Sequence, residues 1–159
     1  MTEPIDVASV LPHRYPMLLV DRVTELVPRE RVTAVKAITR NEPWFRDTGA
    51  GGCPPYPVAL VLESWCQAAG FLVVPGGGDT GGKAMLFASA TDVVFGAPVG
   101  PGDLVVHHAE LVRAVGETVI VTGRSQAGRR TVLTVAHAVM TIRPAAALTG
   151  APETTVPVR

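Results

Sequence analysis

The chain has 159 residues, enough for one domain with a substantial core and too few for two. Its 14 basic and 14 acidic side chains cancel to a formal net charge of zero, which argues against nucleic acid or an anionic membrane as partner. Two cysteines, Cys53 and Cys66, make neither a disulfide framework nor a zinc pattern.

The first residues, MTEPIDVASV, lack the basic start and apolar run of a signal peptide, so the expected location is cytoplasmic. A mean hydropathy of +0.30 in so small a chain points to apolar surface buried against another subunit. Residues 5–11 read as a short helix ended by Pro12. Two β-rich runs, 17–27 and 31–39, are joined by Pro28, Arg29 and Glu30 and read as an antiparallel hairpin. Residues 41–57, NEPWFRDTGAGGCPPYP, are glycine- and proline-rich and are predicted to be loop throughout.

Residues 57–74, PVALVLESWCQAAGFLVV, are apolar on every side and closed by Pro75. Leu, Ala, Gln and Glu favour helix there, and an all-round apolar helix must be wrapped by other structure. At ~1.5 Å per residue the run spans the width of a small domain and falls short of a bilayer, so it reads as a buried central helix. Glu63 is its only charge. A carboxylate in that setting needs a hydrogen bond, a partner or a proton. Gln67, one turn on, shares its face. Periodicity alone leaves a structural and a functional Glu63 equally open.

PGGGDTGGK, residues 75–83, reads as a linker. Gly77, Gly82 and Lys83 have the spacing of a phosphate loop, but Ala84 replaces the required hydroxyl residue and the helix-to-strand order is reversed, so no nucleotide site is assigned. Four strand-like runs follow at 84–95, 104–115, 118–125 and 130–142, joined by short turns that predict a meander. Residues 144–159 are expected to be a disordered tail after a single domain of residues 1–143. About six strands around one helix make an α+β architecture with the helix on one sheet face.

Adjacent His107 and His108 point to opposite faces of their strand, one packed and one exposed, and do not share a metal ion. His137 reads as a core or interface residue and His13 as a residue that orders its turn, with the alternative that either brings an imidazole to Glu63 across a subunit interface. Arg124, Arg129 and Arg130 gather near a hairpin tip, as a solvated turn or a contact for an acidic partner. The chain carries no serine triad, metal cluster or dinucleotide fingerprint, and no cofactor or metal is expected.

Four stretches, LPHRYPMLLVDRV, NEPWF, PVALVLESWCQAAG and FGAPVGPGDLV, occur in the order and spacing of the bacterial 3-hydroxyacyl-acyl-carrier-protein dehydratases of the hotdog fold. The chain resembles that family over roughly residues 8–143. The resemblance implies a sheet wrapped around the helix, a dimer with acyl tunnels at its interface, and sites pairing a loop histidine of one subunit with the helix carboxylate of the other. It implies that the histidine takes the C2 proton while the carboxylic acid helps the 3-hydroxyl leave as water, with an amide at the helix start polarising the thioester carbonyl.

Glu63 matches the family carboxylate and Gln67 its neighbour, while Pro57 and Val58 match the helix start, with Val58 in place of the usual glycine. The family histidine is not matched. Counting forward from Asn41 its position falls on Thr48, and counting back from Glu63 it falls on Gly49. Gly96 and Ala97 likewise replace basic residues usual in the family.

The expectation drawn from this is a dehydratase-like subunit acting on an acyl chain borne by acyl carrier protein, in fatty-acid or polyketide-type biosynthesis. It would be a homodimer or a heterodimer with a histidine-bearing homologue to which it lends Glu63. The alternatives are a non-catalytic homodimer that binds acyl thioesters, and a hotdog thioesterase in which Glu63, helped by Asp47, activates water. Cys53 as nucleophile ranks below Cys53 as a loop residue.

Overall fold

The computed structural model describes residues 5–48, 52–73 and 83–144. Gly49, Val74, the linker as far as Gly82 and the tail from Ala145 lie outside them. The elements are α1 (Val7–Val10), β1 (Arg22–Val27), β2 (Arg31–Ala37), α2 (Val58–Gly70), β3 (Lys83–Phe95), β4 (Leu104–Val115), β5 (Thr118–Ala127) and β6 (Arg130–Pro144). They form an α+β hotdog fold, with one six-stranded antiparallel sheet against the long helix.

Residues alternate in the strands because successive side chains point to opposite faces. Val32 and Ala34 of β2, Val105, His107 and Ala109 of β4, and Val119 and Val121 of β5 are buried. Their intervening neighbours Thr33, Val106 and His108 are less buried. Helix α2 lies on the buried face, chiefly against β4 and also against β2, β5 and β3. Trp65 is fully buried there, and its indole N–H donates to His108 O at 2.9 Å. Gly123 makes the room: a Cβ at that position would stand 2.0 Å from His108 O and 2.9 Å from Trp65 Nε1.

Several expectations need correction. The sheet order is β1-β2-β4-β5-β6-β3, so the meander holds for β4, β5 and β6 but not for β3, which pairs with β6 at the far edge. The segment after β3 is a crossover rather than a hairpin turn. It leaves along β6, through Gly96 N to Val132 O and Ala97 N to Thr131 O, and arrives beside β2, through Gly102 N to Ile38 O and Ile38 N to Asp103 O. Arg130 pins it midway, donating to Pro98 O and pairing with Asp103 at 2.6 Å, so this arginine has an internal acidic partner.

Secondly, the 41–57 loop contains a 3-10 turn, Pro43–Phe45, with proline at its first position, where the missing N–H costs nothing. Glu42, just before it, pairs with buried Lys36 at 3.1 Å and accepts from Thr39 N and Trp44 Nε1. Phe45 is buried 6.1 Å from the Tyr56 ring. NEPWF thus clamps the loop onto β2.

Thirdly, α2 ends at Gly70, and Phe71, Leu72 and Val73 follow in tightened turns bonded to the carbonyls three residues back. The helix is also less enclosed than predicted, since Val58 is 53 % exposed and Ala59 is exposed, while Ser64 to Gly70 are buried. The first strand begins at Arg22 rather than Met17, and β6 runs to Pro144 rather than to Ile142.

His107 is fully buried, with Nε2 2.9 Å from Ser64 Oγ and Nδ1 2.7 Å from Ser125 Oγ. His108 is partly exposed and has Thr33 Oγ1 at 3.3 Å from Nδ1, as the strand alternation predicts. Burial, with smaller effects from His108 and Lys36, pushes the His107 imidazole down from 6.5 to about 3. The unfolded chain therefore takes up this proton first as pH falls. The stability contribution of neutral His107 is complete above about pH 6.5 and is lost as pH falls towards 3.

Between pH 6.5 and 5 the unfolding free energy should drop by about 2 kcal/mol through this group alone, at ~1.4 kcal/mol per pH unit. Denaturant unfolding across that range should show the drop in wild type and a flatter profile in His107→Gln; an unchanged profile in the variant would assign the effect elsewhere. Gly123→Ala should cost about 1–3 kcal/mol from overpacking against the β4 backbone, read as a lower unfolding midpoint.

Candidate active site

The site begins on one stripe of α2. Ala59, Glu63 and Gln67 follow one another at four-residue spacing and so share a face. Ala59 is exposed, the Glu63 side chain is 36 % exposed, and Gln67 is 1 % exposed. The stripe dives from the open end of the helix into the core, and Glu63 sits where it goes under. The carboxylate is therefore not walled off in the core, as the all-round apolar pattern had predicted.

Gln67 is locked by backbone. Leu19 N donates to its Oε1 at 2.9 Å, and its Nε2 donates to Met17 O at 2.7 Å. With the oxygen taken by an N–H, the amide can turn only its NH2 towards the helix carboxylate, and Nε2 donates to Glu63 Oε1 at 2.9 Å. His13 adds a second contact to the same oxygen, its Nε2 lying 3.4 Å away. No main-chain amide bonds Glu63 among the described residues, and its other oxygen, Oε2, has no hydrogen-bond partner among them.

The sequence reading offered His13 either as an imidazole reaching Glu63 across a subunit interface or as the residue that orders its own turn. Arg14 has that task, donating from Nη1 to Leu11 O at 2.8 Å and to His13 O at 2.7 Å. His13 is thereby free to face Glu63. Fifty residues separate the two, and nothing in local periodicity links them; the only cue was that both lie in stretches carrying the same family resemblance.

At the helix start Pro57 is the N-cap residue and offers no side-chain cap. The first backbone N–H groups of a helix have no partner within it, and here they stand beside exposed Val58 and Ala59. Tyr56 N bonds Val99 O at 2.7 Å and fixes this end to the crossover. Thr48 is turned to local work, its hydroxyl donating to Phe45 O at 2.7 Å and lying 3.9 Å from Cys53 Sγ. Neither Thr48 nor exposed Asp47 hydrogen-bonds Glu63 among the described residues, and exposed His137 sits on β6 opposite Thr91. Burial, and then the charge of Glu63, pushes the Cys66 thiol up to about 12, which leaves it protonated and unreactive.

A family profile described as a FabA-like domain matches residues 11–136. The 3-hydroxyacyl-[acyl-carrier-protein] dehydratase FabZ of Rhizorhabdus wittichii is 50 % identical over 105 residues, 64 % of this chain and 66 % of that protein. The enzyme of the same name from Zymomonas mobilis is 44 % identical over 114 residues, 69 % of this chain and 72 % of that protein. That from Thiobacillus denitrificans is 43 % identical over 122 residues, 76 % of this chain and 83 % of that protein.

Among solved structures, the dehydratase heterocomplex ApeI:P from Xenorhabdus doucetiae superposes with a TM-score of 0.73 at 15 % identity, covering 95 % of this chain and 100 % of that one. The fluoroacetyl-CoA thioesterase FlK gives 0.62 at 14 % identity, covering 84 % of this chain and 99 % of that one. At such identities the two likenesses bear on fold alone. The profile match, the FabZ relatives and the helix that carries Glu63 and Gln67 together place the chain in the FabA-like domain family, alongside the FabZ 3-hydroxyacyl-[acyl-carrier-protein] dehydratases.

Proposed function

We propose that the chain is the acid-supplying subunit of a 3-hydroxyacyl-[acyl-carrier-protein] dehydratase, acting on a thioester-bound acyl chain in fatty-acid or polyketide-type biosynthesis. The observation that carries this reading is the setting of Glu63: a part-exposed carboxyl group, held on one oxygen by an immobilised amide, near the open end of a helix. The FabZ 3-hydroxyacyl-[acyl-carrier-protein] dehydratases to which the chain is similar suggest the reaction class.

Dehydration needs a base for the C2 proton and an acid for the departing hydroxyl. In this proposal Glu63 gives its proton to the 3-hydroxyl, the C3–O bond breaks as water leaves, and the C2–H electron pair becomes the double bond. The helix-start amides beside Pro57 and Val58 polarise the thioester carbonyl. The base is a loop imidazole of a homologous partner, because the segment from Asn41 to Pro57 of this chain contains no histidine and has Thr48 and Gly49 at the corresponding place. Each mixed dimer then holds one competent site.

The partner's place is suggested by β3. It is a 13-residue strand at the sheet edge, with Phe87 46 %, Val94 62 % and Phe95 43 % exposed. An edge that long and apolar is a template for strand pairing with a second chain. At the opposite edge β1 is 6 residues long and carries Arg22 and Glu25, features that discourage pairing.

Co-expression with a histidine-bearing homologue, followed by a 3-hydroxyacyl thioester assay on acyl carrier protein, tests the reading. The mixed complex should dehydrate, the isolated chain should not, and Glu63→Gln should lower the rate of the complex about 100-fold or more. An unchanged rate in that variant sinks the proposal. Thiol release would favour a thioesterase instead, and carrier binding without turnover a scaffold. Replacing Phe87 and Phe95 together by Asp should shift the protein to monomer in analytical ultracentrifugation; a dimer that survives would move the interface away from β3.

A further inference from the structure

We infer that His13 is a positioning residue for Glu63, acting with Gln67 to load oxygen Oε1 so that the acidic proton resides on Oε2 and faces the substrate. The inference rests on the reading of Glu63 as the acid and adds a residue that lies in the first block of the chain, away from both the helix and its preceding loop.

Hydrogen-bond capacity decides which oxygen carries the proton. A protonated carboxyl group has one O–H and one bare oxygen, and the O–H is the poorer acceptor of the two. Gln67 can offer Glu63 only a donor, because its own oxygen is occupied by Leu19 N and its nitrogen is already aimed by Met17 O. Oε1 therefore takes the bare, accepting role. His13 Nε2 approaches that same oxygen at 3.4 Å, and the other ring nitrogen, Nδ1, is buried with no hydrogen-bond partner among the described residues. Among the described residues Oε1 is thus the polar atom that the ring faces, and placing the imidazole N–H on Nε2 aims a donor at it. With Gln67 donating to Oε1 and the imidazole also turned towards it, Oε2, free of hydrogen-bond partners among the described residues, is the seat of the proton.

The imidazole also has a mechanical effect. Glu side chains carry three rotatable bonds, and a single hydrogen bond to Gln67 leaves the carboxyl plane free to swing about it. A second contact on the same oxygen restricts that swing. Arg14 makes it possible by holding the carbonyls of Leu11 and His13, so that the ring is presented from a fixed turn. Orientation of a reacting acid is worth large factors in rate and little in substrate affinity.

The test uses the full chain in the dehydrating mixed complex, with three substitutions at one position. His13→Phe keeps the ring and removes the donor; it should lower kcat about 10- to 100-fold with KM within about twofold. His13→Gln restores an N–H donor and should recover most of that loss. In the Glu63→Gln background, His13→Phe should cause no further loss, because there is no longer an acid to orient. Thermal unfolding of each variant separates loss of fold from loss of function. Equal kcat in His13→Phe and wild type, equal losses in His13→Phe and His13→Gln, or a change confined to KM would each overturn the assignment while leaving Glu63 as the acid. A wild-type complex that fails to dehydrate would instead remove the underlying reading, and this inference with it.

Discussion

Everything at the candidate site depends on one side-chain amide. Gln67 is buried at the centre of the molecule and joins the extended segment around Met17 and Leu19 to the helix that carries Glu63. Its backbone partners fix which way the amide points, and the amide fixes which oxygen of Glu63 is engaged. Because a buried amide left without partners costs on the order of 1–3 kcal/mol, the arrangement is held by folding itself. A chain that lost it would weaken the packing of its first block against α2 as well as the aim of its carboxyl group.

Around that centre, two further buried polar groups hold the scaffold in register. Lys36 and Glu42 tie the loop that precedes α2 to β2, and His107 ties Ser64 of the helix to Ser125 of β5. Such groups are costly to bury and strongly destabilising to break singly, so they act less as a source of stability than as a specification of which surfaces meet. The effect is to place the amino end of α2, the loop and the crossover from β3 to β4 close together. Tyr56 and Val99 meet there through a backbone hydrogen bond.

Much of this was legible from local pattern. Period-two alternation located the strands and assigned His107 and His108 to opposite faces, and the four-residue spacing of Glu63 and Gln67 predicted that they would touch. What escaped was long-range. The crossover after β3 has the glycines and prolines of a hairpin turn, and nothing in its composition says that the chain passes from one sheet edge to the strand beside β2. The approach of His13 to Glu63 depends on how the first segment lies over the helix, which no periodicity encodes. The helix looked enclosed on every side because apolar residues fill all its faces, yet its first turn is open. Exposed Val58 there, like Phe87, Val94 and Phe95 on β3, is apolar surface that a second subunit can cover.

The most direct measurement is a crystal structure of the dehydrating complex with a non-reactive 3-hydroxyacyl thioester bound. The account predicts that Glu63 Oε2 lies within about 3 Å of the C3 hydroxyl oxygen while Gln67 Nε2 keeps Oε1. An acyl chain seated out of reach of Glu63, or one whose hydroxyl meets a different acid, would contradict it.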